Sequence, residues 1–250
     1  MLGIQPIKLV HDGLGRVDFP PLARPHVGPK QPRTEELINW AARMYTYSVI
    51  AHIRKVLSGL ILLAGAENVP ASHVISRHVF EWAAQTCYMS NKLKVCYEQK
   101  DWEKAWEILT PAAIGNLWAN KFGAQYAPAF GPPMPTAPNP VRIGKAIAEY
   151  EAHQEKTYGY KEAKDTYGLL SEYAHPNAVC LQQYHTIAAD GTLTIENNVS
   201  GSSLPFVNWC LMDLLVFCDT LLGLSKETAV RAEARKALNE ILKLAPKARK

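Results

Sequence analysis

Paired cysteines, glycine-rich phosphate loops and long uncharged apolar runs are all missing from this 250-residue chain, and each absence removes a class of protein. The five cysteines, Cys87, Cys96, Cys180, Cys210 and Cys218, are odd in number and form no Cys-x-x-Cys pair, so neither a disulfide framework nor a zinc ribbon is expected. They read as buried thiols in a reducing cytosol. The start, Met1-Leu2-Gly3-Ile4-Gln5-Pro6, has neither the basic nor the apolar region of a signal peptide, so no export is expected and the expected location is cytoplasmic. Gly-x-Gly-x-x-Gly, Gly-Lys-Ser/Thr, Gly-x-Ser-x-Gly and His-Glu-x-x-His do not occur, which takes the simplest support from dinucleotide, nucleotide, serine-hydrolase and zinc-protease chemistry. The most apolar stretch, Phe206 to Leu224, carries Asn208, Asp213 and Asp219. A central Asp costs about 2.5 to 3.5 kcal/mol on insertion, so the stretch reads as a core helix and no membrane partner is expected.

Charge selects no partner for the whole chain, because Lys and Arg total 27 against 23 Asp and Glu. The last 25 residues are more basic, with Lys226, Arg231, Arg235, Lys236, Lys243, Lys247, Arg249 and Lys250 against Glu227, Glu233 and Glu240. That tail reads either as a solvated, frayed helix end or as an electrostatic contact for nucleic acid.

A hydrophobic fraction of 48% suffices for one large core. Residues 1–32 hold Pro6, Pro20, Pro21, Pro25, Pro29 and Pro32, a density that predicts an extended proline-rich arm whose removal leaves a folded domain over 33–250. From Thr34 the apolar residues keep helical spacing to about Ala64. Asn68 and Pro70 mark the start of a second helix, Asp101 opens a third that Pro111 should break or kink, and 128–140 reads as a stiff proline loop. Asn139-Pro140 launches a fourth helix, a fifth ends at His175 before Pro176, and two more, Pro205 to Gly223 and Lys226 to Leu244 with Ser225 as cap, close the chain. Between them, Asp190-Gly191 flanked by β-rich runs predicts a type I′ hairpin over about 184–196, lying against the bundle. The expected fold is all-α: a multi-helix bundle with one β-hairpin and a proline-rich N-terminal arm.

Candidate chemistry rests on residues one helical turn apart. Arg77 and Glu81 share a face of the second helix, in the order opposite to the stabilising Glu-before-base arrangement, beside positions that belong to the core. They read either as a solvated surface pair or as a polar pair reaching across to another helix. Tyr167, Ser171 and His175 continue one stripe on the fifth helix. There His175 reads either as a C-terminal cap favoured by the carbonyl end of the helix or as a general acid/base or RNA-facing group with Glu172 or Glu81 as its partner. Glu172 and His175 also spell Glu-x-x-His, but di-iron bundles need that motif twice, and His52, His73, His153 and His185 form no ligand cluster in the sequence. No metal and no cofactor are expected. Packing of both faces toward one core should place Glu81 or Glu172 within hydrogen-bonding reach of Arg77 or His175.

The segments Ser76-Arg77-His78-Val79-Phe80-Glu81 and Tyr167-Gly168-Leu169-Leu170-Ser171-Glu172-Tyr173-Ala174-His175-Pro176-Asn177, followed by a hairpin and apolar helices, resemble a widespread uncharacterised bacterial all-α family that is reminiscent of the HEPN superfamily. That superfamily includes RNA-cleaving toxins and defence effectors, so the resemblance implies a helical scaffold over roughly 34–225, RNA as a possible partner and a site of His175, Arg77, Glu81 and Ser171. HEPN nucleases carry Arg four to six residues before the His, whereas Leu169, Leu170 and Ser171 stand there in this chain. Only His175 matches, and Arg77 would have to supply the cation from another helix. The alternative is a non-catalytic protein interaction module or dimer, with a protein partner or a homo-oligomer, in which these residues form a buried structural polar cluster.

Overall fold

The computed structural model describes residues 4–23, 25, 32–114, 142–159, 161–174, 185–195 and 203–244. Among them are eight helices: α1 (Gln5–Gly15), α2 (Glu35–Gly65), α3 (Val69–Gln99), α4 (Trp102–Ile114), α5 (Ile143–Tyr158), α6 (Ala163–Ala174), α7 (Leu204–Leu224) and α8 (Ala229–Leu244). The all-α class is thus what the chain folds into. The 128–140 loop, the Asn139-Pro140 cap, His175, Cys180 and the last six residues lie outside the described residues.

Side-chain caps start the two longest helices. The Thr34 hydroxyl accepts from the Leu37 amide at 3.3 Å ahead of α2, and Asn68 Oδ1 accepts from the Ala71 amide at 3.2 Å ahead of α3. Helix α3 is the hub, touching α2, α4, α5, α6 and α7. Its inward side chains include Val79, Phe80, Ala83, Ala84, Cys87 and Leu93, all fully buried, and the small ones let neighbours approach closely. Helix α7 packs on α3, α8 and α2. Both α2 and α7 are long and apolar enough to cross a membrane, and α7 is mostly buried within the bundle.

The extended N-terminal arm is corrected by α1. Pro6 sits in the first turn, where a missing amide hydrogen costs nothing, and no proline follows until Pro20. Ile7, Val10 and Leu14 recur at helical spacing and are fully buried against α2 and α8. Gly13 is required by that packing, because a Cβ there would stand 2.8 Å from the Ala237 Cβ. The following residues stay attached: Val17 is buried, Phe19 meets the Tyr47 ring at 5.1 Å, and the Leu22 carbonyl accepts from the Trp40 indole at 3.3 Å.

Two further expectations are revised. Helix α4 continues through Pro111 to Ile114, which excludes the break and leaves the kink, since a proline in the last turn removes only one helical bond. Ser225 ends α7 rather than opening α8, its hydroxyl donating to the Leu222 carbonyl, and it is Glu227 whose Oε1 accepts from the Ala229 and Val230 amides at the start of α8.

Strands β1 (His185–Ile187) and β2 (Leu193–Ile195) pair antiparallel, with Thr186 opposite Thr194. Among the described non-glycine residues only Glu67, Lys100 and Lys226 have positive φ, so in this turn Gly191 alone does, at +84°. Type I′ needs positive φ at both central residues; the turn instead closes with the Gly191 amide donating to the Ala188 carbonyl, the type I plus glycine-bulge form.

Candidate functional site

Helices α3 and α6 meet face to face, and the residues that join them are charged or aromatic. On α3, Arg77 Nε donates to Glu81 Oε1 at 3.0 Å. Across the interface Arg77 Nη2 donates to the Tyr167 hydroxyl at 3.1 Å, and that hydroxyl donates to the same Glu81 Oε1 at 3.3 Å. The guanidinium also lies 5.2 Å from the centroid of the Tyr167 ring, a cation–π contact. These bonds close a triangle. Burial works to lower the Arg77 guanidinium, but the hydrogen bonds to Tyr167 and Glu81 outweigh it and hold it above its ordinary value. Arg77 and Glu81 each keep 25% of their side-chain surface exposed, so the triangle stands at the edge of the bundle.

The other sequence candidates fall elsewhere. The Ser171 hydroxyl donates to the Tyr167 carbonyl of its own helix at 2.7 Å and takes no part in the triangle. Glu172 is exposed. His175 lies outside the described residues. Of the expected bond from Glu81 or Glu172 to Arg77 or His175, the described residues hold a Glu81–Arg77 bond within α3, while Arg77's partner across the interface is Tyr167; the His175 part lies outside the described residues.

One turn toward the start of α3, His73 stacks on Tyr173 of α6 with centroids 4.5 Å apart and planes at 17°. His73 is buried, burial lowers its pKa, and its Nδ1 has no hydrogen-bond partner among the described residues. The spacing 73, 77, 81 is a single helix face, a signal present in the sequence but unremarkable without α6 opposite it.

Behind the triangle, Phe80 stacks between Tyr167 and Phe206 at 5.8 and 5.6 Å and meets Tyr150 edge-on at 5.5 Å. Tyr150 leads to a second polar cluster. Asp213, 2% exposed in the middle of α7, accepts 2.6 Å bonds from the Tyr150 and Tyr158 hydroxyls of α5. Burial raises the Asp213 carboxyl above its ordinary value while the two tyrosine bonds oppose the rise, and burial raises Tyr150. The charge that marks α7 as a core helix in the sequence is thus satisfied from α5.

Cys87, Cys96, Cys210 and Cys218 are buried free thiols, and burial pushes Cys87 and Cys218 up to about 12, where they are poor nucleophiles. Among the described residues no group of three or more His, Cys, Asp or Glu side chains converges as a metal site.

Fold and site together define an all-α bundle with a charged clip between two of its helices. Comparison with family models, with curated proteins and with solved structures finds no match.

Proposed function

We propose that the chain is an intracellular, HEPN-like, RNA-directed helical protein in which Arg77, Glu81 and Tyr167 hold against α3 the helix α6, which carries Ser171 and precedes His175 in the sequence. The observation that carries this reading is the Arg77–Tyr167 contact, which joins the two short segments bearing the family resemblance. A clip of this kind is a positioning device: Glu81 neutralises Arg77, and their shared bonds to Tyr167 fix the helix rotation. His175 is then the residue offered for proton transfer to or from a ribose hydroxyl or leaving oxygen. The basic end of α8 supplies electrostatic attraction for a phosphate backbone. A docked 184–196 hairpin and assembly into homo-oligomers belong to the same proposal.

The closed charge balance of the triangle favours a second reading, a non-catalytic interaction module in which the clip is structural only. Cleavage of single-stranded and hairpin RNA by the wild type, His175→Ala and Arg77→Ala, with folding checked by circular dichroism, separates them. Loss of cleavage in His175→Ala at unchanged fold supports the first. Equal behaviour of wild type and His175→Ala leaves the second.

A further inference from the structure

On the face of α3 that meets α2, His52 Nε2 stands 2.7 Å from His78 Nε2, with the two rings edge to face at 73° and centroids 5.1 Å apart. The Trp82 indole nitrogen donates to the same His78 Nε2 at 3.1 Å. An indole N–H only donates, so His78 Nε2 presents its lone pair, His78 carries its proton on Nδ1, and His52 Nε2 is the donor within the pair. His78 is therefore already in the tautomer that a metal-ligating imidazole adopts through Nε2. Neither ring is sealed in: both histidines are only partly buried.

We propose that His52 and His78 form a two-imidazole binding site for a nitrogen-preferring transition-metal ion, such as Cu²⁺ or Zn²⁺, bridging α2 and α3. Two nitrogens at about 2.0–2.1 Å from a tetrahedral ion lie about 3.3 Å apart, so the observed gap must open by about 0.6 Å, within reach of small rotations of the two rings. On binding, His52 moves its proton from Nε2 to Nδ1 and the ion takes the place of that hydrogen between the rings, with no net proton released from the neutral pair. The Trp82 N–H gives up its acceptor. Burial holds both imidazoles below their ordinary value; Glu81, one turn along α3, works against this at His78, whereas Lys55 adds to it at His52. No third protein ligand completes the set among the described residues, and with two imidazoles as donors hard oxygen-seeking ions such as Mg²⁺ are disfavoured. The proposal is independent of any action on RNA.

Titration of the full chain with Cu²⁺ or Zn²⁺ alone tests it, by calorimetry for both ions and by electron paramagnetic resonance for Cu²⁺. The expected result is one saturable site per chain with two imidazole nitrogens in the Cu²⁺ spectrum. His52→Gln and His78→Gln keep polar, partly buried side chains. Loss of a second-shell partner alone costs metal sites about 10- to 100-fold, so either substitution is expected to weaken binding at least about tenfold. No saturable binding by the wild type, a spectrum without two imidazole nitrogens, or binding that survives both substitutions within that margin would overturn the site.

Discussion

Two of the polar clusters that tie one helix to another solve the same problem in opposite ways. Asp213 with Tyr150 is sealed: the carboxylate is 2% exposed and accepts 2.6 Å bonds from the buried Tyr150 hydroxyl and from that of Tyr158, which stands at the surface. Arg77 with Glu81 and Tyr167 is open by a quarter and carries two opposite charges in place of one. Asp213 and Tyr150 have no solvent to fall back on when a partner is removed, whereas the open cluster has water at its edge. Stability is therefore concentrated at Asp213 and freedom to act at the α3–α6 edge.

Substitutions that separate the two clusters run from the core outward. Asp213→Ala strands the buried Tyr150 hydroxyl and takes a carboxylate acceptor from Tyr158, and is expected to cost about 3 kcal/mol in denaturant unfolding. An apolar yardstick of similar size is Leu14→Ala in α1, expected to cost about 2–5 kcal/mol, which also tests whether α1 belongs to the domain. Asp213→Asn is expected to do less harm and to change the pH dependence. The folded carboxyl lies above its unfolded value, so the native state binds the extra proton: this group's stabilising contribution is present below the ordinary carboxylate range and is lost as pH rises through the folded value. Unfolding measured across that window should show a downward slope with rising pH that flattens in Asp213→Asn; an unchanged slope would remove Asp213 as its source. At the open clip, Arg77→Ala is expected to cost only about 0.5–1 kcal/mol, with salt weakening the effect.

Much of this was legible in the chain. Thr34 and Asn68 announce α2 and α3 because caps act within three residues. The pairing of Arg77 with Glu81 likewise follows from one-turn spacing. Proline content alone hides the N-terminal helix, because the positions decide: Pro6 is harmless in a first turn, and the stretch from Ile7 to Leu14 is free of proline. Tyr167 belongs to a visible stripe, yet its role as the bond partner of Arg77 depends on how α6 meets α3, 90 residues apart in sequence. The same holds for His52 and His78, whose convergence needs the antiparallel packing of α2 on α3, and for Tyr150 and Tyr158, which come from another helix to satisfy Asp213. Spacing along one helix is a local property, and partners across helices are fixed only by packing.

The measurement that bears most directly on the clip is a double-mutant cycle between Arg77→Ala and Tyr167→Phe, read by equilibrium unfolding. Tyr167→Phe removes the hydroxyl that bonds both Arg77 and Glu81 while keeping the ring stacked on Phe80. A coupling of about 0.5–1 kcal/mol is expected for a hydrogen bond of this exposure. Effects that add within about 0.3 kcal/mol would contradict a clip joining α3 to α6.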